Sequence, residues 1–159
     1  MPAPPSARVR ELETLLATIR HARNILLNID MWEQHGSSSA SDDERARMAA
    51  ESAAAIRQQD HAKGALDTLV ATTREECPGE IAAWVAAHDA YLAAFLADLD
   101  AAGQADTTAA MVASDERTAW TEVASGKRAV VDENGFYVTS NDDRYRRLFG
   151  IDPNTLAPC

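Results

Sequence analysis

The chain has 159 residues and a formal net charge of −10, and 32 of its residues are Ala. This length corresponds to one domain of ordinary size. Ala is the strongest helix former, and only 7 Gly and 6 Pro are present. The composition therefore favours helices and excludes a many-stranded β-sandwich, a collagen-like fibre and a disulfide scaffold. No run of about 18 apolar residues occurs, so no transmembrane helix is predicted.

The negative charge is concentrated in the middle of the chain. Residues 77–126 contain eight acidic residues and one basic residue, Arg117. An acidic surface repels phosphate backbones, so nucleic-acid binding is not expected; a basic protein partner or simple solubility fits better. With two cysteines, Cys77 and Cys159, and no pattern of a signal peptide, we expect a reduced, cytoplasmic protein without membrane insertion.

Four segments have the periodicity of amphipathic helices. The first extends from about Ser6 to Gln34, and its predicted inward stripe consists of Leu12, Leu15, Ile19, Ala22, Leu26 and Ile29. The second begins after Ser41, which has capping-box spacing to Glu44, and continues to about Arg74. Its predicted stripe consists of Met48, Ser52, Ile56, Gln59, Lys63, Leu66 and Val70.

The middle of the second segment is poor in large apolar residues, since Gln59, Asp60 and His61 lie there, with Gly64 just beyond. We therefore expect a bend or a polar pocket at this point.

The third and fourth segments are shorter. The third covers about 79–102, with Pro78 at its start and Gly103 at its end. Its predicted stripe consists of Ile81, Val85, His88, Leu92, Phe95 and Leu99. The fourth begins after Asp106 or Thr107, reaches about Ser125 and ends at Gly126. Its predicted inward residues are Val112, Ala119, Trp120 and Val123.

The last 33 residues have a different pattern. Two β-rich runs, 129–131 and 136–139, flank a turn that contains Asn134-Gly135, which is typical of a hairpin. A short helix is predicted from Asn141 to Phe149, with Gly150 after it. The predicted fold is all-α: an antiparallel four-helix bundle in 1–126, followed by a small C-terminal β-hairpin and short helix in 127–159.

Two segments resemble known families. Residues 6–125, with the Ala-rich run EIAAWVAAHDAYLAAFLADLDAAGQAD, resemble the four-helix-bundle sensor domains of bacterial chemoreceptors and kinases. Residues 128–158 resemble the opening segment of a PAS domain, an incomplete one at this length. The matching positions are Asp132, Gly135, Asn141, Tyr145, Leu148, Phe149 and Gly150. These resemblances imply a signalling or regulatory role.

Motifs for metal binding and catalysis are not found. A di-iron bundle needs Glu-x-x-His pairs, and none of His21, His35, His61 and His88 follows a Glu by three positions. There is no Cys-x-x-Cys pair, phosphate loop or nucleophile elbow. We therefore predict no metal and no cofactor, and an enzyme is the less favoured class.

His88 lies on an apolar stripe where an apolar residue is expected, and two interpretations stay open. In the first, it is a buried imidazole bonded to a polar residue such as Gln59 or Asp115. Its pKa is then below about 6.5 beside a neutral partner and raised beside Asp115 or Glu116. In the second, it faces a ligand in a bundle cavity. The candidate ligand-binding residues are Trp84, His88, Tyr91 and Trp120.

The sequence thus favours a non-enzymatic binding or regulatory bundle with a protein partner or self-association. The alternative is a bundle that binds a small molecule or cofactor in a pocket around His88.

Overall fold

A computed structural model describes residues 5–132, 135–136 and 149–152. Four helices make up most of this part: α1 (Ala7–His35), α2 (Asp42–Glu76), α3 (Pro78–Ala101) and α4 (Thr108–Ala124). Ser37–Ser39 form one 3₁₀ turn between α1 and α2. Strands β1 (Val131–Asp132) and β2 (Gly135–Phe136) pair antiparallel. The prediction of four helices is confirmed, with ends within two or three residues of those expected.

Three of the four helices, α1, α2 and α4, begin where a side chain can satisfy one of their first N–H groups. The hydroxyl oxygens of Ser6, Ser41 and Thr107 accept hydrogen bonds from the backbone N–H groups of Val9, Glu44 and Ala110. Such N-caps stabilise a helix because its first N–H groups have no partner within the helix. After α3 and α4, Gly103 and Gly126 have φ angles of +72° and +77°, a conformation that favours glycine.

The helices pack pairwise. α1 packs mainly against α2, and α3 mainly against α4. Near the start of α1, Arg8 Nη2 lies 3.1 Å from Glu76 Oε2 at the end of α2. Smaller contacts of α3 with α2 and with α1 join the two pairs. The described helices enclose one apolar core that is centred on Leu12, Leu16, Ile19, Leu66 and Trp84 and continues into Trp120.

The inward face of α2 differs from the prediction by one position. Ile56, predicted to point inward, is 48% exposed, whereas its neighbour Ala55 is 3% exposed. The buried residues of α2 are Ala55, Ala62, Leu66 and Thr73. Two of these four are Ala, so α2 lies close to its neighbours through small side chains, and the larger Ile56 is left outside.

The C-terminal segment contributes to the same core. Val130, Val131, Phe149 and Ile151 are all at most 5% exposed and belong to the apolar cluster of the helices. The remainder of the predicted hairpin (137–139) and the predicted short helix up to residue 148 lie outside the described residues. The same holds for Asn141, Tyr145 and Leu148 of the PAS-like pattern, and for Cys159. Cys77 is exposed between α2 and α3.

Among the described residues, no helix has the combination of length and apolar composition that membrane crossing requires.

Candidate functional site

A second buried stripe on α1 places charged groups inside the bundle. Val9, Glu13, Leu16 and Arg20 are spaced by four, three and four residues and therefore share one helix face. All four are buried, and Glu13 is 0% exposed. This face of α1 brings a carboxylate and a guanidinium into the core.

The Glu13 carboxylate accepts hydrogen bonds from three side chains, one on α1 and two on α3. Its Oε1 accepts a hydrogen bond from Arg20 Nη2 at 2.9 Å, within α1. Its Oε2 lies 2.8 Å from Trp84 Nε1 and 2.8 Å from His88 Nε2, both on α3. An ionised carboxylate can only accept, so His88 donates through a proton on Nε2. The carboxylate thereby connects α1 to α3.

The protonation states in this cluster follow from burial and pairing. Burial opposes the ionisation of Glu13, but His88, Arg20 and Trp84 together hold the pKa of its carboxyl below the ordinary value. Burial lowers the pKa of His88 below 6.5, and the Glu13 carboxylate opposes this shift without reversing it. Arg20 stays cationic, because a guanidinium keeps its proton in proteins. At neutral pH the cluster therefore consists of a Glu13–Arg20 ion pair and a neutral His88.

The sequence-based hypothesis named the wrong partner for His88. The bond goes to Glu13 on α1 rather than to Gln59 or Asp115; Asp115 is exposed on α4. An acidic partner was expected to raise the pKa of His88. Complete burial and the nearby Arg20 cation lower it instead.

Aromatic rings surround His88. Its ring stacks on Trp120 with centroids 3.8 Å apart and planes inclined by 23°. Trp84 meets Trp120 edge to face at 5.0 Å. Phe149, from the C-terminal segment, lies 5.3 Å from the His88 ring at an inclination of 31°. His88 is thus a point of contact between α1, α3, α4 and the C-terminal segment.

The structure brings three of the four predicted site residues together. Trp84, His88 and Trp120 are in direct ring contact and at most 2% exposed. Tyr91, three residues after His88, is half-buried and packs against the edge of the core.

Three further members of the cluster were missed from the sequence: Glu13, Arg20 and Phe149. Glu116 was named there as a possible partner of His88. Glu116 is 1% exposed and accepts a hydrogen bond from Trp120 Nε1 at 3.3 Å. Its carboxylate, like that of Glu13, favours the charged form of Arg20. The spacing of Glu13 and Arg20 relative to Val9 and Leu16 is the pattern that would have identified both on α1.

An open surface groove lies beside Gly64, and its lining is more apolar than the polar pocket that was one of the two expectations there. It has a volume of about 570 Å³ and lies between α1 and α2. Glu11, Asp60, His61, Gly64 and Thr68 form part of its wall. In the part of the chain that the structure describes, no group of three or more His, Cys, Asp or Glu side chains is arranged to hold a metal ion.

Comparison with protein-family models, with curated proteins and with solved structures finds no match for this chain.

Proposed function

We propose that this chain is a non-enzymatic regulatory or binding protein, in which the bundle communicates with the C-terminal segment through His88. The observation that carries this proposal is the position of His88, which bonds to Glu13 of α1, stacks on Trp120 of α4 and contacts Phe149. A change in the C-terminal segment that moves Phe149 therefore alters the surroundings of a group on which three helices converge.

Burial supports a regulatory role over a catalytic one. A catalytic acid, base or nucleophile has to reach its substrate. Glu13, Trp84 and His88 are each 0% exposed, and their hydrogen bonds join one another. Such a cluster stabilises one packing of the helices. A regulatory protein alternates between two conformations, and this packing would be one of them.

We further propose that the helices form an antiparallel up-and-down bundle that carries a PAS-like hairpin and short helix. Arg8 pairs with Glu76, and Asp89 of α3 binds Arg117 of α4 through two bonds of 2.8 and 3.2 Å. The first contact joins the start of α1 to the end of α2 and so supports opposite directions for these two helices. The second lies near the middle of α3 and α4 and holds them together. The proposed partner is a protein, either a second copy or another chain, and the exposed Leu27 and Met31 on α1 support such a contact.

The coupling is tested by hydrogen exchange of the full chain with Phe149→Ala. The expected result is faster exchange in the α3 amides around His88 and in the α1 amides around Glu13, besides the C-terminal segment itself. Ile56→Ala, at a half-exposed site on α2, is the control and should leave these amides unchanged. Faster exchange confined to the C-terminal segment would contradict the coupling.

Native mass spectrometry of the freshly purified chain tests for a partner, since it reports bound proteins, small molecules and oligomeric state together. If the chain is a monomer with nothing bound even at the highest protein concentration measured, the result would count against a self-associating protein.

The second candidate is a bundle that binds a small molecule around Trp84, His88, Tyr91 and Trp120. One observation favours it: the Phe149 ring lies beside the His88 ring. A planar ligand could stack on His88 in the position that Phe149 occupies. Ultraviolet-visible spectra of the purified protein distinguish this candidate. A chromophore that co-purifies with the wild type and is lost in His88→Ala supports it.

A further inference from the structure

A second surface pocket lies where α2 meets the segment that leaves α4. Its volume is about 300 Å³, at the lower end of the range for small-molecule sites. Three cationic side chains and one carboxylate contribute to its wall: Arg74, Lys127, Arg128 and Asp67. Positive charge at this place contrasts with the chain as a whole, whose net charge is −10.

Arg74 is held in place at the back of this pocket. Its Nη2 donates a hydrogen bond to the backbone carbonyl of Val123 in the last turn of α4. The following turn passes close by, since a Cβ atom at Gly126 would lie 3.8 Å from Arg74 Nη1. A guanidinium has five N–H donors in a fixed plane, so one bond to a carbonyl leaves others for an acceptor in the pocket. Arg74 is therefore a donor whose position is set before any ligand arrives.

The other two cations come from the segment between α4 and β1. Lys127 is exposed, and Arg128 Nη1 lies 3.8 Å from Glu122 Oε2 in a partly exposed ion pair. Asp67, on α2, opposes an anion in the pocket. Asp67 in the wall and Glu122 beside Arg128 set two carboxylates against the three cations, which still leaves a net positive charge. This charge favours an anion over a neutral ligand.

We propose that this pocket binds a phosphate-type anion, either inorganic phosphate or the phosphoryl group of a small molecule. Arg74 supplies planar N–H donors, and Lys127 and Arg128 supply further positive charge in the same wall. Binding would tie α2 to the segment between α4 and β1. The proposal is independent of the role of His88, so either can fail without the other.

The test is a titration of the full chain with inorganic phosphate, followed by the backbone amide resonances of residues 126–130. Ionic strength is held constant with chloride. Saturable shifts are expected with phosphate and not with chloride. A parallel titration with glycerol 3-phosphate distinguishes the two kinds of ligand. A lower Kd for glycerol 3-phosphate indicates a small phosphorylated molecule, and a lower Kd for inorganic phosphate indicates the free ion.

Three variants locate the site. Lys127→Gln should weaken phosphate binding roughly fivefold, the size of one exposed charged contact, whereas Asp67→Asn should tighten it. Arg57→Gln removes one exposed cation of α2 away from the pocket and is the control for net charge. Shifts that do not saturate, shifts that chloride reproduces, or equal weakening by Arg57→Gln and Lys127→Gln would overturn the proposal.

Discussion

Glu13 is the residue on which the charged cluster depends. A carboxylate in an apolar core is unstable unless opposite charge and hydrogen bonds replace the water it has lost. Here Arg20 supplies the charge, and Trp84 and His88 supply further donors at 2.8 Å. Removing the carboxylate charge would take away the hydrogen-bonded anionic partner of the buried Arg20 cation, with the Glu116 carboxylate remaining nearby.

Glu13→Gln should therefore lower the free energy of unfolding by about 3–5 kcal/mol, the usual cost of breaking a buried ion pair from one side. Urea denaturation followed by circular dichroism measures this value. Glu11→Gln is the matched control: it lies on the same helix, is exposed, and should change stability by less than about 0.5 kcal/mol. Similar losses in both variants would show that Glu13 does not hold the cluster together.

The depressed pKa of His88 makes stability depend on pH. Below about pH 6.5 the unfolded chain takes up a proton at His88 that the folded chain does not bind, so stability falls as the pH falls. The slope contributed by one proton is at most about 1.4 kcal/mol per pH unit. Glu13 adds a loss in the same direction below its ordinary pKa of 4.5.

Urea denaturation of the wild type and of His88→Gln at a series of pH values between 8 and 5 tests this dependence. Gln keeps an N–H donor for Glu13 but does not titrate, so the slope below pH 6.5 should become shallower. The same slope in both proteins would mean that His88 is protonated in the folded state, contrary to the charge assignment given above.

Among the elements, α2 shows which features sequence periodicity predicts and which it does not. Its start at Ser41 was predictable, because a serine followed by Glu44 is a local capping pattern. Leu66 of its predicted inward face is buried, but the middle of that face was not predictable, because sequence periodicity ranks Ile56 above Ala55. The burial of Ala55 depends on the close approach of α1, which is a property of tertiary packing.

Ala55→Leu and Ile56→Ala test the face of α2 directly. Ala55→Leu inserts a larger side chain where Ala is 3% exposed and should cost about 1–3 kcal/mol through overpacking. Ile56→Ala, at a half-exposed position, should cost less than about 1 kcal/mol. In thermal melts, Ala55→Leu should therefore have a lower Tm than Ile56→Ala. The reverse order would show that Ile56, as periodicity predicts, points inward.

The same limit explains what was found and missed in the cluster. His88, Trp84 and Trp120 were identified because they interrupt or widen apolar stripes on α3 and α4. Glu13 and Arg20 were missed, because a charged residue on a helix is ordinarily solvent-exposed. Only the partner helix α3, which supplies Trp84 and His88, makes their burial possible. The contact of Phe149 was beyond periodicity as well, since it joins positions 61 residues apart in the sequence.

On the scale of the whole molecule, the helices and the C-terminal segment share one core. Val130, Val131, Phe149 and Ile151 pack in the cluster that contains Leu12 and Trp84. The sequence alone divides the chain at residue 126, where composition changes. Shared burial across that position favours unfolding as one unit, because neither part keeps its apolar surface covered without the other.

We therefore expect one cooperative unfolding transition in urea. Tryptophan fluorescence, which reports on Trp84 and Trp120 in the core, should give the same midpoint as helix content by circular dichroism. Urea-dependent hydrogen exchange at Val130 and Val131 supplies a third probe of the same event. An earlier loss of protection at these two residues would show instead that the C-terminal segment detaches as a separate unit.

The edge-to-face pair of Trp84 and Trp120 has an optical consequence. Their rings lie 5.0 Å apart at 76°, near enough for the two indole transition dipoles to couple, and inclined so that the coupled excitation is optically active. We therefore expect the far-ultraviolet circular dichroism spectrum of this chain to contain an exciton couplet from this one tertiary contact, superimposed on the bands of the four helices. Its disappearance reports the separation of α3 from α4, an event that the helical bands do not record.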